Sequence, residues 1–208
     1  RFRRGWPVAA QPRPPARPAQ KQIGDRQSFN GFIFATIADS HILDQGYTDV
    51  RYIKAFEKSR QLLANYVGDI NAHQPPVDFV VHLGDVTELG TTAEFDTALA
   101  ITSGLACPLY AVVGNHDNFQ SDAKRGWKAF AGRDSTNYSF DHLGHHFVVI
   151  DCTLDPYAYP YVDCDSTLRA WVAADLLANS ALPTIVFSHY NMWERPWNPM
   201  FDLGRSYA

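Results

Sequence analysis

Four strand-like segments of this sequence each end in carboxylate, amide or imidazole side chains. The segments and the polar residues that follow them are Phe32–Ile37 with Asp39 and His41, Phe79–Leu83 with Asp85, Leu109–Val113 with Asn115, His116 and Asp117, and Thr184–Phe187 with His189. Each segment is rich in β-branched, aromatic or other apolar residues and is followed directly by a small residue, where a loop can begin. In open α/β sheets, ligands bind at the carboxyl ends of the strands. The pattern therefore predicts one sheet edge at which these polar side chains meet.

The segments between the first three strands predict helices. Apolar residues at helical spacing predict a helix over about 50–67, with Gly68 as its end. Thr91 and Glu94 have the spacing of a capping box, which predicts a second helix that continues to about Thr102. The first part of the chain thus has the order β-α-β-α-β.

The pattern changes after the third strand. Segments 137–140 and 147–150 flank the polar loop 141–144, an arrangement that predicts a hairpin. Asp165 or Ser166 is expected to cap a further helix, which precedes the fourth strand. The complete order predicts an α/β fold with mixed sheets and helices on the outside.

Composition limits the class of protein. Residues 1–28 are rich in proline and arginine and have no periodic apolar pattern, so we expect a disordered arm or linker before a domain that spans 29–208. The net charge of −4 argues against a general nucleic-acid surface. No apolar run approaches the roughly 20 residues of a membrane span. Cys152 and Cys164 can form a disulfide in an exported protein, but buried thiols explain them equally well, so the compartment stays open.

The polar residues at the strand ends suit a pair of metal ions. Asp39 and His41 are two residues apart, so their side chains are expected on the same side of an extended chain. A carboxylate and an imidazole that face together suit a divalent transition metal. Asp85 has two oxygens that can bridge two ions, and Asn115 and His189 add an amide oxygen and another imidazole. Two ions about 3.5–4 Å apart can hold a hydroxide and clamp a phosphate for in-line attack.

Four short motifs together resemble the signature blocks of the calcineurin-like metallophosphoesterase family. They are Asp39-x-His41, Gly84-Asp85, Gly114-Asn115-His116-Asp117 and Ser188-His189. The resemblance covers residues 31–190, and the combination is specific although the shorter motifs alone are not. It implies a two-sheet α/β/β/α sandwich and a dinuclear centre with two divalent transition metal ions, such as Mn, Fe or Zn.

The resemblance also implies which residues bind the metal ions. Asp39 and His41 would bind the first ion. Asp85 would bridge the two ions, and Asn115 and His189 would bind the second. These five residues are the predicted metal ligands.

Two further residues of the motifs would take part in the reaction. By resemblance, His116 is a non-ligand acid that protonates the leaving oxygen, and Asp117 orients the His116 ring. The implied reaction is hydrolysis of a phosphodiester or phosphomonoester by a hydroxide that bridges the metal ions. The alternative is a truncated or degenerate family member that binds metal or a partner without turnover.

The sequence departs from the family pattern in two places. The family's Gly-His-x-His block, which gives one more histidine to each metal ion, does not follow His189, so we expect a sandwich without its C-terminal part, weak metal binding and self-association. His145 and His146 are not a substitute, because they precede His189 and lie in the predicted hairpin. Glu88 stands three residues after Asp85, where purple acid phosphatases have a tyrosine ligand, which argues against a tyrosinate–ferric centre.

Overall fold

The computed structural model describes residues 31–43, 56–119, 124–153 and 165–190. These residues contain six strands, four α-helices and one short 3₁₀ helix. In chain order the elements are β1 Phe34–Ile37, α1 Phe56–Asn71, β2 Phe79–His82, α2 Thr92–Thr102, β3 Leu109–Ala111, the 3₁₀ helix His116–Asn118, α3 Arg125–Ala131, β4 Tyr138–His142, β5 His145–Val149, α4 Ser166–Ala178 and β6 Thr184–Phe187.

The six strands form two three-stranded sheets. The first sheet has the order β1-β2-β3 and is parallel. The second sheet has the order β4-β5-β6, with β4 antiparallel and β6 parallel to β5. All four residues of β2 are buried, as expected for the central strand of a parallel sheet that is covered on both faces.

Aromatic side chains from both sheets form the layer between them. The ring centroid of Phe79 in β2 lies 5.2 Å from that of Phe147 in β5. The ring centroids of Phe34 in β1 and Phe187 in β6 are 5.8 Å apart. These pairs show that the two sheets face each other, and the tilted ring geometry is the one that aromatic side chains prefer.

Helices cover the sheets. The first three helices contribute Leu63, Phe95 and Trp127 to the core cluster that contains the β2 residues. The last helix, α4, packs Leu168 against Val148 of β5 in a second cluster. The predicted two-sheet α/β/β/α sandwich is therefore confirmed. No helix in the described ranges is both long enough and apolar enough to cross a membrane.

Local sequence signals located most helix ends. Thr91 caps α2, and the Glu94 carboxylate accepts from the Thr91 amide at 3.1 Å, so the capping box is present. Asp165, one of the two residues considered, caps α4. The prediction that α1 ends at Gly68 was wrong, because the helix continues to Asn71. One glycine costs only about 1 kcal/mol in a helix interior, and packing of the apolar face of the helix outweighs this cost.

The hairpin turn is shorter than predicted. Asp141 and His142 are paired within β4, so the turn consists of Leu143 and Gly144 alone. These two residues have φ of 44° and 76°. A two-residue hairpin turn of type I′ requires positive φ at both positions, and leucine is an unusual residue there, which is why the sequence did not indicate it.

The fourth strand corrects the prediction of a single sheet edge. β6 pairs with β5 in the second sheet and not with the parallel strands of the first. The polar residues at the strand ends therefore come from two sheets. Because the two sheets face each other, the loop after β6 still lies next to the loops of the first sheet. Nδ1 of His189 is 2.9 Å from the carbonyl oxygen of Leu83, which directly follows β2.

Three predictions fall outside the described residues. They concern the arm over 1–28, the start of the first helix near residue 50, and a disulfide that would need Cys164. Each stays a prediction.

Candidate metal centre

The loops after β1 and β2 run side by side with left-handed backbone. The amides of Asp39 and His41 donate to the carbonyls of Gly84 and Asp85 at 3.1 and 3.0 Å. Asp39, His41 and Asp85 have φ of 54°, 42° and 52°, so Asp39 and His41 do not lie in the extended chain that we predicted. Such backbone costs about 1–3 kcal/mol per residue and persists where the surroundings determine it, often at functional sites.

Asp85 lies between two histidines. Its Oδ2 is 3.6 Å from Nε2 of His41, and its Oδ1 is 3.5 Å from Nε2 of His189. On one side, Oδ1 of Asp39 is 3.7 Å from the His41 nitrogen. On the other side, Oδ1 of Asn115 is 3.1 Å from the His189 nitrogen. The other four predicted metal ligands are thus gathered around the Asp85 carboxylate, with a pair of donors on each side of it.

Both histidines present Nε2 to Asp85 because their Nδ1 atoms are held from behind. Nδ1 of His189 lies 2.9 Å from the Leu83 carbonyl. Since a carbonyl only accepts, Nδ1 carries the proton and Nε2 has a free lone pair. Nδ1 of His41 lies 2.7 Å from Oε2 of Glu88. Metal-binding histidines characteristically have their second nitrogen held in this way by a carboxylate or a carbonyl.

The donor set fits divalent transition metal ions. Imidazole nitrogens combined with carboxylate and amide oxygens suit Mn, Fe or Zn. Ligand atoms of Asp39, Asp85 and His189 all lie within 4.8 Å of one another. The neighbouring His41 ring is the largest influence on Asp39 and lowers its pKa, which favours the ionised carboxylate that a cation needs. The residues present are therefore compatible with the implied pair of ions.

Glu88 is a site residue that the sequence analysis did not predict. It is buried, and its Oε2 lies 2.7 Å from Nδ1 of His41 and 3.4 Å from Nδ1 of His116. A second group of ligand atoms within 4.8 Å of one another consists of these three residues. The available signal was its position three residues after Asp85, where purple acid phosphatases have a ligand. The glutamate at that position argued only against a tyrosinate–ferric centre.

Contrary to the prediction, the Asp117 carboxylate is not hydrogen-bonded to the His116 ring. Its carboxylate accepts from the amides of Val86, Thr87 and Gly114 at 3.2, 2.9 and 2.9 Å. It also accepts from the Thr87 hydroxyl at 3.0 Å. Burial raises the pKa of Asp117 to about 6, and these hydrogen bonds oppose the increase. Asp117 ties the loop after β2 to the loop after β3, so any effect on His116 passes through the backbone.

His116 is held by Glu88 instead. Nδ1 of His116 lies 2.8 Å from the Glu88 carbonyl, so this nitrogen donates. The ring packs edge-on against His41, with centroids 4.8 Å apart and planes at 90°. The His116 side chain is 21% exposed. Among the described residues, its ring hydrogen bonds and ion pairs all involve Nδ1.

His82 is a second residue that the sequence analysis missed. It is fully buried in β2, with Nε2 2.7 Å from the Ser40 hydroxyl oxygen. Its Nδ1 accepts from the Gly84 amide at 3.3 Å. Burial lowers the pKa of His82 to about 3, so the ring is neutral. The sequence feature that could have indicated His82 as a site residue is its position as a histidine in an otherwise apolar strand.

Two glycines allow the loops to approach closely. A Cβ added to Gly114 would lie 2.0 Å from the backbone nitrogen of Asp85. A Cβ added to Gly84 would lie 2.7 Å from Nδ1 of His189. Both distances are well below ordinary van der Waals contact, so glycine is required at both positions if the ligands are to stay where they are.

The hairpin histidines that we rejected as ligands lie away from this centre. His146 pairs with Thr184 at the start of β6, whereas His189 follows the end of that strand. The His146 ring nitrogens are 2.6 Å from Oδ1 of Asp141 and 2.7 Å from Oδ2 of Asp175. His146 is therefore part of a charge cluster between the second sheet and α4.

The family follows from a match over most of the chain. A family model described as calcineurin-like phosphoesterase matches residues 33–205. This chain belongs to the calcineurin-like phosphoesterase family. The resemblance drawn from the four motifs is thereby confirmed.

Curated relatives of this chain include proteins named as phosphodiesterases. The glycerophosphodiester phosphodiesterase GpdQ of Enterobacter lignolyticus is 28% identical over 162 residues, which are 76% of this chain and 56% of the relative. A probable cyclic nucleotide phosphodiesterase of Rhodopseudomonas palustris is 30% identical over 91 residues, 44% of this chain and 31% of the relative. The chain thus spans between about a third and just over half of the length of these relatives.

Solved structures show the same fold. A dimetal phosphatase from Danio rerio has a TM-score of 0.60 at 18% identity, over 78% of this chain and 70% of that chain. A purple acid phosphatase from yellow lupin has a TM-score of 0.53 at 16% identity, over 77% of this chain and 30% of that chain. At these identities the likeness shows the fold alone.

Proposed function

We propose that this chain is a metal-dependent phosphoesterase that hydrolyses phosphodiesters or phosphomonoesters with two divalent transition metal ions. The observation that carries the proposal is the position of Asp85, with one oxygen toward His41 and the other toward His189. A carboxylate placed in this way can neutralise part of the charge of two cations at once. Family membership supports the phosphoester chemistry.

Donors on the two sides of Asp85 would hold the ions. Asp39 and His41 lie on one side, and Asn115 and His189 on the other. When bound, the ions supply a nucleophile derived from water at neutral pH and neutralise charge on the phosphate. The contribution of the chain is to hold these donors in fixed orientations, since the far nitrogens of both histidine rings are already engaged.

His116 is proposed to donate a proton to the leaving oxygen through Nε2. A general acid must lie within hydrogen-bond reach of the group that it protonates. The carbonyl of Glu88 holds Nδ1 and so directs Nε2 away from Glu88. Asp117 supports the same loop through the amide of Gly114, so its proposed role is to position the loop that carries His116.

The substrate class is supported by the relatives. One is named a glycerophosphodiester phosphodiesterase and another a probable cyclic nucleotide phosphodiesterase. Both names describe phosphodiester substrates. Phosphodiesters are therefore the substrates to test first, with phosphomonoesters as the comparison.

Asp85→Asn tests the proposal directly. The amide keeps the size of the side chain but removes the charge that would bridge two cations. We expect the parent chain to bind Mn²⁺ weakly and to hydrolyse bis(p-nitrophenyl) phosphate slowly but measurably. We expect the variant to bind less Mn²⁺ and to lose turnover by more than about 100-fold, or about 2.7 kcal/mol of barrier. The measurements are calorimetric Mn²⁺ titration and the release of p-nitrophenolate.

Asp134→Asn is the matched control, because Asp134 is an exposed aspartate after α3. It should leave both Mn²⁺ binding and turnover unchanged. Turnover of Asp85→Asn within about tenfold of the parent, which is only 1.4 kcal/mol of barrier, would contradict the bridging role.

A further inference from the structure

A cavity of about 250 Å³ opens beside the candidate metal ligands. One side of it is formed by the loop after β1, through Asp39, Ser40 and His41. The other side is a face of α1, whose lining residues are Phe56, Ser59, Leu62, Leu63 and Tyr66. Residues three or four apart lie on one face of a helix. The cavity is therefore continuous with the candidate centre and has an apolar wall opposite a polar one.

Two large side chains of the apolar wall are more exposed than a packing role requires. Leu62 is 44% exposed and Tyr66 is 49% exposed, whereas the neighbouring Leu63 is 1% exposed and belongs to the core. Ligand sites are typically lined by apolar and aromatic side chains with a few well-placed polar groups. The exposed side chains face a cavity that has this composition.

The polar wall contains the Ser40 hydroxyl, and the His82 ring limits the directions in which this hydroxyl can donate a hydrogen bond. The Gly84 amide donates to Nδ1 of His82, so the proton of the neutral ring is on Nε2. Nε2 is 2.7 Å from the Ser40 hydroxyl oxygen, which therefore accepts from His82. The proton of the Ser40 hydroxyl must then point elsewhere. Because Ser40 lines the cavity, this proton is available to an oxygen of a bound phosphoester.

His116 does not line the cavity, although its ring packs against His41. A leaving oxygen within hydrogen-bond reach of His116 then lies beside a residue that is not part of the cavity lining. In hydrolysis, an oxygen from water bonds to phosphorus, the bond to the leaving oxygen breaks, and that oxygen takes the proton. The second ester group stays on phosphorus in the product. This retained group is the part of the substrate that the cavity can receive.

We propose that the cavity binds the retained ester group of a phosphodiester and that this group is aromatic or similarly apolar. The inference rests on the proposed function and makes it more specific. A cavity of about 250 Å³ lies just below the 300–1,000 Å³ range of drug-sized ligand sites, so it suits one ring rather than a long chain. A phosphomonoester has no second ester group and leaves the cavity empty.

Two substrates with the same leaving group test the proposal. Phenyl p-nitrophenyl phosphate and methyl p-nitrophenyl phosphate both release p-nitrophenolate and differ in the retained group. With the Mn²⁺-loaded chain, we expect kcat/KM to be about tenfold higher for the phenyl ester. Leu62→Ala and Tyr66→Ala should each reduce this ratio several-fold, mainly through KM. Because both side chains are partly exposed, neither replacement opens a core cavity.

Leu99→Ala is the control, since Leu99 is 42% exposed on α2 and does not line the cavity. It should leave the ratio unchanged. Calorimetric titration with diphenyl phosphate and dimethyl phosphate gives a readout that needs no turnover. The parent should bind diphenyl phosphate about tenfold more tightly than dimethyl phosphate, and Tyr66→Ala should reduce the difference.

The outcomes separate the cavity from the chemistry. Hydrolysis of both esters with no phenyl preference, or a preference that Leu99→Ala changes as much as Tyr66→Ala does, overturns the cavity assignment and leaves the proposed function intact. The proposed function is overturned if the chain hydrolyses neither ester but still binds diphenyl phosphate more tightly than dimethyl phosphate, with a preference that depends on Tyr66. That second result supports a cavity that binds aromatic phosphodiesters without turnover.

Discussion

Replacing Gly114 by alanine should disrupt the metal centre without removing a ligand. Gly114 lies in the loop after β3, against the backbone of Asp85. An added Cβ would lie 2.0 Å from the nitrogen, 2.1 Å from Oδ1 and 2.8 Å from Cα of Asp85. Carbon atoms in ordinary contact are about 3.5–4.0 Å apart. Asp85 must therefore move by roughly 1 Å or more.

The same displacement has different consequences for stability and for metal binding. Overpacking of this kind typically costs about 1–3 kcal/mol of folding free energy, which a domain with about 5–15 kcal/mol of stability can survive. Metal–ligand distances, in contrast, are constrained to about 0.2 Å. A bridging carboxylate displaced by about 1 Å cannot keep both contacts. We therefore expect a folded protein whose Mn²⁺ affinity is at least about 100-fold lower, the upper end of losses seen when a supporting residue is removed.

Gly68→Ala is the matched control. Gly68 lies in α1, and a Cβ added there has no atom within 4 Å. Because alanine is favoured over glycine by about 1 kcal/mol in a helix interior, this variant should be slightly more stable than the parent. Urea unfolding followed by circular dichroism measures stability, and calorimetric titration measures Mn²⁺ affinity. Both variants carry the same chemical change, so the difference between them isolates the contact with Asp85.

Two results would refute this reasoning. Mn²⁺ affinity within tenfold of the parent in a folded Gly114→Ala would mean that the loops can separate without moving the ligands. Failure of the variant to fold would show that the cost of the contact exceeds about 3 kcal/mol and spreads into the core.

Two further predictions concern histidines inside and outside the centre. His116→Ala should reduce turnover by roughly 10²–10⁴, the usual range for loss of a general acid, while Mn²⁺ stays bound; loss of Mn²⁺ in a titration would show that His116 is a ligand. Burial acts to lower the pKa of His146, but the hydrogen bonds that its ring donates to the Asp141 and Asp175 carboxylates outweigh this and raise the pKa above its ordinary value. The stability contributed by His146 should therefore be complete below pH about 6.5, its usual value, and should disappear as pH rises through the raised folded pKa. Urea unfolding of the parent and His146→Gln should show a difference of about 1.5–3 kcal/mol at low pH that shrinks at high pH, and a pH-independent difference would contradict the assignment.

The motifs that supply the site residues, and their order along the chain, were predictable because each motif depends on local sequence. A strand that ends in a small residue places the next polar side chain at the mouth of a loop, wherever the strand lies in the fold. This is why Asp39, Asp85 and Asn115 were identified, and why Thr91 was recognised as a cap from its spacing to Glu94. The family resemblance added their roles.

The supporting residues of the site were not predictable in the same way. Glu88 and His82 act through contacts with groups from a neighbouring loop, His41 and Ser40. Asp117 was predicted to orient the ring of its sequence neighbour, but its carboxylate accepts from two amides of the loop after β2 and from the Gly114 amide of its own loop. Sequence adjacency was therefore a poor guide to which partner a buried carboxylate takes.

The sequence by itself determined the family, the alternation of strands and helices, and the residues available as metal ligands, because these follow from periodicity and from short motifs. Only the tertiary structure decided that β6 belongs to the second sheet and that His189 nevertheless reaches Asp85. It also decided that Asp85 directs one oxygen to each side. These features depend on how two sheets face each other across an aromatic layer and on how closely glycine lets two loops approach. Such contacts join residues far apart in the chain, and no local pattern encodes their geometry.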